Sequence, residues 1–362
     1  MKILALASRF GLCGHGLASH YISNELARRG HKVHLRVFDS VHELKGVFNN
    51  PAYEVRYKPS VPLMPTTGLS VLRQVMDLLR LQKERDFDVV FGLDCAEAGV
   101  LGAAFGKEAG LNVALMSWGN ELKELSSAER GVLRNCDLVM PVSRWAKANL
   151  ISADFDETKM KVLPPGVDLA LFSPPKARPK GLGIVTVTEL VKGSGVDVLI
   201  DVLKSLLDLG EDAFLSVIGS GPEHKSLKRK AERAMLVGSV RFLGKVPHQD
   251  LPPLLRQHRV FALIPRPVPE MSDPDVSLAM MEAASCGLGV VGTEMGGLTD
   301  SLRVLGGTKV PAEAPVKIAD TVARVAGKPS LVMATEGEYG RSRSWADAAE
   351  EIEAVLDDLV YE

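Results

Sequence analysis

Cysteine and aromatic residues are scarce in this chain: four of its 362 residues are Cys, and Phe, Trp and Tyr together make up 5%. The cysteines lie far apart in the sequence, at Cys13, Cys95, Cys136 and Cys286. None of their spacings fits a zinc-binding motif. Isolated cysteines of this kind are typical of reduced thiols in a cytosolic protein. We therefore expect free thiols and no zinc site.

The sequence also lacks an excess of charge and any long apolar run. Its formal net charge is −2, so no overall field recruits nucleic acid or an anionic surface. No apolar run approaches the ~20 residues that a membrane-spanning helix needs. Lys2–Ala7 reads as a strand, with no signal-peptide layout before it. The sequence predicts a cytoplasmic protein that does not bind nucleic acid.

Short β-rich runs alternate with helical segments along the chain, which is typical of doubly wound α/β layers. The predicted strands of the first half are Lys2–Ser8, His31–Val37, Asp88–Leu93, Asn112–Ser117 and Asp137–Val142. Those of the second half are Gly183–Glu189, Ala213–Gly219, Ser239–Leu243, Val260–Ile264 and Gly289–Gly292. The predicted helices include Leu17–Arg29, Leu69–Arg85 and a last helix from Trp345 to about Leu359.

A proline-rich stretch, Lys161–Pro175, separates the two series of strands. A length of 362 residues also suits two domains of ordinary size, each with its own core. A cleft between two domains is a common ligand site. The sequence thus predicts two α/β domains joined by a linker, with a ligand bound between them.

The most informative stretch runs from Val276 to Asp300 and combines a predicted helix, a strand and a glycine turn. Glu282 is the one acid in the helix, and the pair Gly296-Gly297 follows the strand at its carboxyl end. In open parallel sheets, ligands bind at that end. A carboxylate can accept hydrogen bonds from the two hydroxyls of a ribose, and glycine N–H groups can cradle an anion. A solvated helix acid beside an ordinary turn is the alternative interpretation.

Two further glycine turns follow predicted strands. Gly11, Gly14 and Gly16 lie between the first predicted strand and the first predicted helix, and unpaired N–H groups at a helix N-terminus suit a phosphate. Their spacing does not match the dinucleotide fingerprint. The second turn, Gly219–Pro222, follows a strong strand. For both turns, close packing of helix and strand without a ligand is an alternative.

Several blocks of this sequence, taken in order, resemble glycosyltransferase family 4, a family of retaining enzymes with the GT-B fold. The blocks are GHKVHLRVF, CDLVMPVSRWAKANL, VLPPGVDLALFSPP, GIVTVTELVKGSGVDVLIDVL, FLSVIGSGPEHKSL, VRFLGKVPHQDLPPLLRQHRVFALIP, the segment Val276–Asp300 and SWADAAEEI. VRFLGKVP and GVDLALF are the most specific of them. The resemblance covers nearly the whole chain.

The resemblance implies two doubly wound Rossmann-like domains that face each other across a cleft. The expected boundaries are residues 1–168 for the acceptor-side domain and 176–340 for the nucleotide-sugar domain, with a helix at 345–362 that crosses back to the first. It further implies a nucleotide-sugar donor, a saccharide or lipid-linked acceptor, and transfer with retention. Neither a cofactor nor a metal is expected, because protein charges neutralise the donor diphosphate in this family.

The same resemblance assigns roles to the glycine turns and to the helix acid. Gly14 and Gly16 would face the transferred sugar and the diphosphate. Gly219 and the main chain near Lys245-Val246 would line the nucleotide pocket. Glu282 would bind the ribose, and Gly296 with Gly297 would contact phosphate or sugar.

Three departures from the family pattern affect the expected site. The Arg and Lys that usually neutralise the diphosphate are replaced by Glu189 and Ser194. We expect Lys192, or Arg266 from another loop, to supply the missing cation, because a lysine side chain is long and flexible. An anionic Glu189 at this place would repel a diphosphate.

The second departure is Pro274, which stands where the family has a first acid that touches the transferred sugar. Asp275 is the preferred substitute, ahead of Asp273 and Glu270, although a solvated acidic loop is an alternative. The third departure is Trp118, which stands at the place of a histidine. Trp118 could stack on a sugar, while Asn120 and Glu121 could bind hydroxyls on the acceptor side.

The predicted helix Leu69–Arg85 carries four basic residues beside an apolar face, at Arg73, Arg80, Lys83 and Arg85. Membrane-associated relatives use such a helix to dock on anionic lipid. A packed surface helix is the alternative. Peripheral contact with the inner face of a membrane is thus one expectation for residues 69–85.

Three functions remain open at this point. The preferred one is a retaining glycosyltransferase. A non-catalytic GT-B binding or partner protein would also explain the loss of both cations and the first acid, since a fold does not fix a function. An epimerase acting on the nucleotide sugar ranks last, because its catalytic acids and histidines have no recognisable counterpart.

Overall fold

The chain forms two compact units in a computed structural model that describes residues 1–8, 14–38, 52–57, 68–177, 179–269, 272–327 and 343–361. Residues 1–166 and 345–362 form the first unit, and residues 167–344 form the second. The second unit begins and ends with segments that lie side by side: the Val167 N–H donates to the Arg343 carbonyl oxygen at 2.8 Å.

The first unit is a parallel sheet covered by helices. Its strands are β1 (Lys2–Ala7), β2 (Lys32–Val37), β3 (Glu54–Tyr57), β4 (Val89–Gly92), β5 (Asn112–Ser117) and β6 (Leu138–Pro141). Their order in the sheet is β3-β2-β1-β4-β5-β6. Its helices are α1 (Gly14–Arg28), α2 (Gly68–Arg85), α3 (Glu97–Ala109), α4 (Ser127–Leu133) and α5 (Arg144–Ser152). After Lys2, strand β1 is apolar and buried from Ile3 to Ala7, as expected for a strand covered by helices on both faces.

The last helix, α12 (Trp345–Tyr361), belongs to the first unit although the whole second unit separates it in sequence. It packs against α1 and β5. The rings of Tyr21 and Trp345 stack with 5.4 Å between their centroids and an interplanar angle of 4°. His31 Nε2 lies 2.7 Å from Glu353 Oε1. Burial of Trp345 and these polar contacts fix the helix on the first sheet.

The second unit repeats the architecture of the first. Its strands are β7 (Leu182–Val187), β8 (Ala213–Ile218), β9 (Val240–Gly244), β10 (Val260–Leu263), β11 (Gly289–Gly292) and β12 (Thr308–Lys309). They are all parallel, in the order β12-β11-β10-β7-β8-β9. Its helices are α6 (Val196–Asp208), α7 (His224–Arg233), α8 (Leu251–Leu255), α9 (Leu278–Ser285), α10 (Leu298–Leu305) and α11 (Pro315–Gly327). The apolar face of α6 packs against α11 and β8 and forms much of the core.

Each sheet has a point at which the strand order reverses. In the second unit this point lies between β7 and β10, and in the first unit between β1 and β4. Connections from the two central strands leave in opposite directions there and open a crevice beyond their carboxyl ends. The fold therefore places one candidate ligand crevice in each unit.

The predicted fold class is confirmed: both units are parallel, Rossmann-like α/β layers. All ten predicted strands are present, with ends that differ by at most two residues. The short edge strands β3 and β12 were not predicted. With four and two residues, they are too short to show a hydrophobic period.

Candidate functional site

The donor-binding candidates of the second unit all lie at one edge of its sheet. Each follows the carboxyl end of a different strand: Lys192 follows β7, Gly219 follows β8, Val246 follows β9, Arg266 follows β10, and Gly296 with Gly297 follows β11. Parallel strands end at the same edge, so these loops lie along it in the order of their strands, β11, β10, β7, β8 and β9. The candidates that were far apart in sequence are thereby brought to one side of the sheet.

The loops after β7 and β10 meet directly at the crevice. The Arg266 N–H donates to the Gly193 carbonyl oxygen at 2.9 Å, next to Lys192. Gly195 begins α6 with φ +82°, and a Cβ there would overlap the Ile264 carbonyl group. Glycine is therefore required where the two loops cross.

Arg266 carries a charge that is already paired. Its Nη2 lies 2.7 Å from Asp197 Oδ2, at the start of α6. Both side chains are about a third exposed or less, at 27% and 31%. The Arg266 backbone thus lies beside the loop that contains Lys192, and Asp197 offsets part of the Arg266 charge. The role of either residue as the cation for a diphosphate stays a prediction.

The two departures from the diphosphate-binding pattern occupy different environments. Glu189 is exposed, and so is Lys192, whereas Ser194 is buried. The Ser194 N–H donates to the Val191 carbonyl oxygen at 3.2 Å, within the same turn. A short hydroxyl side chain fills the position where the family has Lys, and the surrounding space is closed to solvent.

The glycines after β8 allow two backbones to approach closely. Gly219 has φ +135°, and a Cβ there would overlap the Thr188 carbonyl oxygen. A Cβ at Gly221 would overlap the Leu190 carbonyl oxygen. The Leu190 N–H donates to the Ser220 carbonyl oxygen at 3.0 Å. These contacts supply a packing reason for this turn, and its role in nucleotide binding stays a prediction.

Glu282 is buried rather than solvated. Its side chain lies in α9 with 6% of the residue exposed, and its Oε1 is 2.6 Å from His248 Nε2. Burial raises the pKa of the Glu282 carboxyl, the hydrogen bond from His248 lowers it, and the nearby negative charge of Asp168 raises it further. The net direction is upward. The alternative of a solvated helix acid is wrong, because Glu282 is buried. A buried carboxylate needs a hydrogen-bond partner, and His248 is that partner.

The turn Gly296-Gly297 is covered by the loop that contains the substitute acid. The Gly297 N–H donates to the Pro274 carbonyl oxygen at 2.8 Å. A Cβ at Gly296 would overlap the same carbonyl, and a Cβ at Gly297 would lie 2.7 Å from the Val276 nitrogen. The sequence suggested an uncovered glycine turn, but the main chain of this loop packs directly on it. The same loop holds Asp275 in a half-buried position.

A cavity of about 730 Å³ opens beside this turn, at the ends of β10, β11 and β12. Its lining includes Asp273, Met295 and Gly296, together with Lys309, which forms an ion pair with Glu294. Glu270, the third acid considered from sequence, lies outside the described residues.

The first unit has an acid at its own crevice. Asp94 Oδ2 accepts from the Ser8 N–H at 2.7 Å, and Oδ1 accepts from Ser8 Oγ at 2.6 Å. This buried pair joins the ends of β1 and β4. Gly14 and Gly16 lie in the first turn of α1, whereas Gly11 and Cys13 lie outside the described residues. The predicted phosphate contact of Gly14 and Gly16 stays a prediction.

The acceptor-side candidates have structural partners. Trp118 is 1% exposed, and its Nε1–H lies 3.3 Å from the Leu93 carbonyl oxygen. The carboxylate of Glu121 accepts the N–H groups of Trp118 and Gly119, each at 2.7 Å. Trp118 therefore has a packing role in place of the predicted sugar stacking, because no ring face is open. Glu121 shapes the turn after β5 that also contains Asn120.

Trp145 is an aromatic residue near this turn that sequence reasoning did not select. Its ring is partly exposed at the start of α5 and packs against Gly119, where φ is +112° and a Cβ would overlap the ring. The Lys123 ammonium lies 6.0 Å from the ring centroid. Trp145 lies in the block CDLVMPVSRWAKANL, which resembles the family. The residues around it in sequence do not show whether a Trp lies at the surface or in the core.

His248 and Asp168 were also missed as neighbours of Glu282. His248 follows β9 in a single 3-10 turn, and its ring centroid is 5.0 Å from that of Phe172. Asp168 accepts the Ala170 and Leu171 N–H groups at 3.1 Å each. Both lie in sequence blocks that resemble the family, but their proximity to Glu282, more than a hundred residues after Asp168, has no sequence signal.

The thiols and candidate metal ligands offer no reactive cluster within the described ranges. Cys95, Cys136 and Cys286 are buried and free. Burial raises the pKa of Cys136 to about 12 and that of Cys286 to about 11, so both are protonated at neutral pH. Among the residues that the structure describes, no group of three or more His, Cys, Asp or Glu could hold a metal ion. The described helices include none that is long and apolar enough to cross a membrane.

Comparison with known proteins identifies the family. Residues 14–171 match the family described as Glycosyltransferase Family 4, and residues 181–328 match the family described as Glycosyl transferases group 1. The chain is 30% identical over 234 residues to a phosphatidylinositol N-acetylglucosaminyltransferase subunit of Arabidopsis thaliana. That match covers 62% of this chain and 50% of the plant protein, so the chain spans about half of that relative's length.

A bacterial relative aligns over a larger part of its own length. It is the GDP-mannose-dependent alpha-(1-6)-phosphatidylinositol monomannoside mannosyltransferase of Mycolicibacterium smegmatis, 29% identical over 282 residues, with 72% of each chain covered. Among solved structures, Anabaena Alr3699/HepE in complex with UDP superposes with a TM-score of 0.80 at 18% identity. It covers 99% of this chain and 100% of its own. The chain therefore belongs to glycosyltransferase family 4 and has the GT-B fold of two Rossmann-like domains.

Proposed function

We propose that the protein transfers a sugar from a nucleotide-sugar donor to a lipid-linked or saccharide acceptor. The observation that carries this proposal is the arrangement of the second unit. Its donor candidates gather at the carboxyl edge of one sheet, around the crevice between β7 and β10, with Glu282 nearby as a buried acid. Membership of the family and the donor-dependent relatives support the same activity.

On the donor side, Glu282 binds the ribose, and the turns at Gly14 and Gly296 contact the phosphates or the sugar. The Gly297 N–H does not take part, because it is already donated to the Pro274 carbonyl oxygen. Lys192, with the partly offset charge of Arg266, supplies the cation for the diphosphate. The leaving nucleoside diphosphate gains negative charge in the transition state, and a nearby cation stabilises it. Lys192 suits this task because its exposed side chain lies beside the crevice and can move toward a ligand.

Transfer proceeds with retention and without a metal ion or cofactor in this proposal. The family resemblance supports retention. The use of Lys192 and main-chain N–H groups on the diphosphate would leave no task for a divalent cation. Asp275 contacts the transferred sugar as the substitute for the missing first acid. On the acceptor side, Asn120 remains a candidate for binding hydroxyls.

Of the two acceptor classes, we favour a lipid-linked molecule presented at the cytoplasmic face of a membrane. Two relatives are named for action on phosphatidylinositol or its mannoside. The α2 surface, defined by Leu72, Met76 and Arg80 on one face of α2 together with Arg73, supports this choice. Leu72 and Met76 are 60% and 56% exposed, and the Arg80 side chain is 74% exposed. Apolar side chains flanked by cations suit an anionic lipid surface.

A donor hydrolysis and transfer assay tests the proposed function. Purified protein is incubated with UDP- and GDP-linked sugars, with and without vesicles that contain phosphatidylinositol or its mannoside. We expect release of one nucleoside diphosphate, accelerated by an acceptor lipid and unaffected by EDTA. Release from none of the donors would contradict the catalytic proposal.

A second candidate function, a non-catalytic partner protein, is favoured by one observation. The exposed Glu189 and buried Ser194 replace both of the family's diphosphate cations. A partner protein would bind a nucleoside diphosphate or another protein without turnover. The hydrolysis assay separates the two functions, since only the enzyme releases nucleoside diphosphate from a sugar donor.

A further inference from the structure

Glu282 is held by a histidine that the proposed transfer does not itself use. His248 lies in the connection between β9 and α8, and its Nε2 is 2.6 Å from Glu282 Oε1. Both residues are buried, at 8% and 6% exposed. The Phe172 ring packs against the imidazole at a centroid distance of 5.0 Å. The histidine is thus fixed by packing as well as by its polar partner.

The two oxygens of Glu282 have different environments. Oε1 receives the hydrogen bond from His248. From the described residues, Oε2 accepts no hydrogen bond. A carboxylate has capacity for several donors, so Oε2 retains sites for an incoming hydroxyl group.

We propose that His248 is a positioning residue for the nucleotide donor: its Nε2–H holds one oxygen of Glu282 and thereby orients the other oxygen toward a ribose hydroxyl. This inference rests on the proposed function, in which Glu282 binds the ribose. His248 acts through Glu282 and does not contact the reacting atoms.

The physical reason for such a partner is the burial of the acid. An isolated carboxylate loses its hydration when buried and takes up a proton more readily. Burial and the charge of Asp168 both raise the pKa of Glu282, whereas the His248 hydrogen bond lowers it. His248 therefore favours the ionised carboxylate, and an ionised acceptor forms stronger hydrogen bonds to hydroxyl groups.

The test compares three substitutions by calorimetric binding of UDP, GDP and their 2′-deoxy and 3′-deoxy forms. His248→Leu removes the hydrogen bond, and His248→Gln retains an N–H donor. His258→Gln is the matched control, because His258 is another buried histidine of the second unit, hydrogen-bonded to Ser216 Oγ and the Leu254 carbonyl oxygen at 2.8 Å each. Thermal unfolding is recorded for every variant.

We expect His248→Leu to weaken binding of the preferred diphosphate by about tenfold, the effect of losing one charge-assisted hydrogen bond. Its affinity for the deoxy forms should fall less, so discrimination between ribose and deoxyribose should shrink. His248→Gln should recover most of that discrimination, and His258→Gln should keep all of it. Adding His248→Leu to Glu282→Ala should cause no further loss, because the two residues act as one unit.

Two results would overturn the role of His248. One is an equal loss for ribose and deoxyribose ligands in His248→Leu, which is the effect of a purely structural residue. The other is wild-type discrimination in His248→Leu while Glu282→Ala loses it. Failure of the proposed function would look different: the wild-type protein itself would bind neither UDP nor GDP, or would bind ribose and deoxyribose forms equally.

Discussion

At the scale of single residues, the proposed donor site depends most on Glu282. Its Oε1 is already engaged by His248, so one oxygen remains for the nucleotide. We therefore expect Oε2 to be the oxygen that accepts the main hydrogen bond from a ribose hydroxyl. Loss of one charge-assisted hydrogen bond weakens binding by about 1.5–3 kcal/mol, or roughly one to two decades.

We accordingly expect Glu282→Ala to lower kcat/KM for the donor by about one to two decades. Glu282→Gln should lose less, because the amide keeps an acceptor oxygen. The measurement is steady-state kinetics with the best donor, and circular dichroism confirms that each variant is folded. Unchanged kinetics in a folded Glu282→Ala protein would remove the acid from the donor site.

The cation for the diphosphate is the second question at this scale. Lys192 is exposed beside the loop crossing, and Asp197 offsets the charge of Arg266 at 2.7 Å. We expect Lys192→Ala to weaken nucleoside diphosphate binding more than monophosphate binding, because the β-phosphate loses its cation. The exposed Lys176, just after the linker, provides a control substitution. Equal losses for both ligands in a calorimetric titration would assign the cation elsewhere.

Glu189→Arg tests the same diphosphate site by adding a cation, whereas Lys192→Ala removes one. An added cation at the family's position should tighten donor binding if residue 189 faces the diphosphate. Each 1.36 kcal/mol recovered is about a tenfold change in the equilibrium. Donor affinity and turnover identical to wild type would mean that residue 189 does not face the diphosphate.

His258 gives the second unit a pH dependence that is independent of catalysis. Burial lowers its pKa from 6.5 to about 4, and the ring lies between Ser216 and the Leu254 carbonyl oxygen. In the unfolded chain His258 is protonated below pH 6.5, whereas in the folded chain it is protonated only below about pH 4. The contribution of neutral His258 to the free energy of unfolding is thus fully present above pH 6.5 and is lost as the pH falls toward 4.

We expect the stability advantage of the wild type over His258→Gln to shrink by about 3 kcal/mol between pH 7 and pH 4. Urea unfolding of both proteins across that range measures the difference, and subtraction cancels groups that titrate in both. Parallel pH curves for the two proteins would show that His258 is not held neutral in the folded state.

At the scale of elements, the loops after β7 and β8 depend on glycines that let one backbone approach another. A Cβ at Gly219 would overlap the Thr188 carbonyl oxygen, and φ there is +135°. Gly210 is the matched control, because its φ is also positive at +84° but nothing lies within 4 Å of a Cβ. Backbone strain alone costs about 1–3 kcal/mol in such positions.

Gly219→Ala should therefore reduce the free energy of unfolding by more than Gly210→Ala does, and should also weaken nucleoside diphosphate binding. Chemical denaturation and calorimetry supply the two measurements. If both alanine variants lose stability equally, the close approach of the loops contributes nothing beyond backbone strain.

The surface of α2 is the element that connects the protein to lipid in our proposal. We expect Leu72→Ser combined with Met76→Ser to reduce sedimentation with phosphatidylinositol vesicles several-fold, since apolar burial and charge add in such helices. Leu209→Ser combined with Val316→Ser is the control, because these residues are similarly exposed at 64% and 63% but belong to the other unit. An equal reduction in both double variants would contradict a specific role for α2.

The elements show how far sequence reasoning reaches. The long strands and α9 were predictable because their apolar runs are bounded by glycines and charged residues. Strand β12, with two residues, has no pattern of its own and exists only because β11 offers a free edge. Trp118 illustrates the same limit within a site: its identity suggested a sugar contact, but its side chain is buried.

The partners of Glu282 could not be read from sequence for a related reason. Its position in a helix before a glycine was visible, and so was the sheet edge at which the helix ends. Which side chain would satisfy the buried carboxylate depends on how the connection after β9 folds onto α9. Long-range contacts of this kind are set by tertiary packing and leave no local period.

At the scale of the whole molecule, the two family-model matches give the chain its family, and the two parallel sheets, each with a strand-order reversal, give it two candidate crevices. The departures at Glu189, Ser194 and Pro274 lie in loops and leave the sheets intact. The fold thus does not depend on these residues, whereas the chemistry depends on a few side chains, as is usual for folds that host many functions.

The central claim, sugar transfer from a nucleotide donor by these side chains, is tested most directly by following one reaction to its product. The purified protein is given UDP- and GDP-linked sugars with phosphatidylinositol vesicles, and nuclear magnetic resonance records the anomeric configuration of the new glycosidic bond. Our account predicts a glycolipid with the donor's anomeric configuration, formed in EDTA and lost in large part with Lys192→Ala. Donor binding without any product, or a product of inverted configuration, would contradict it.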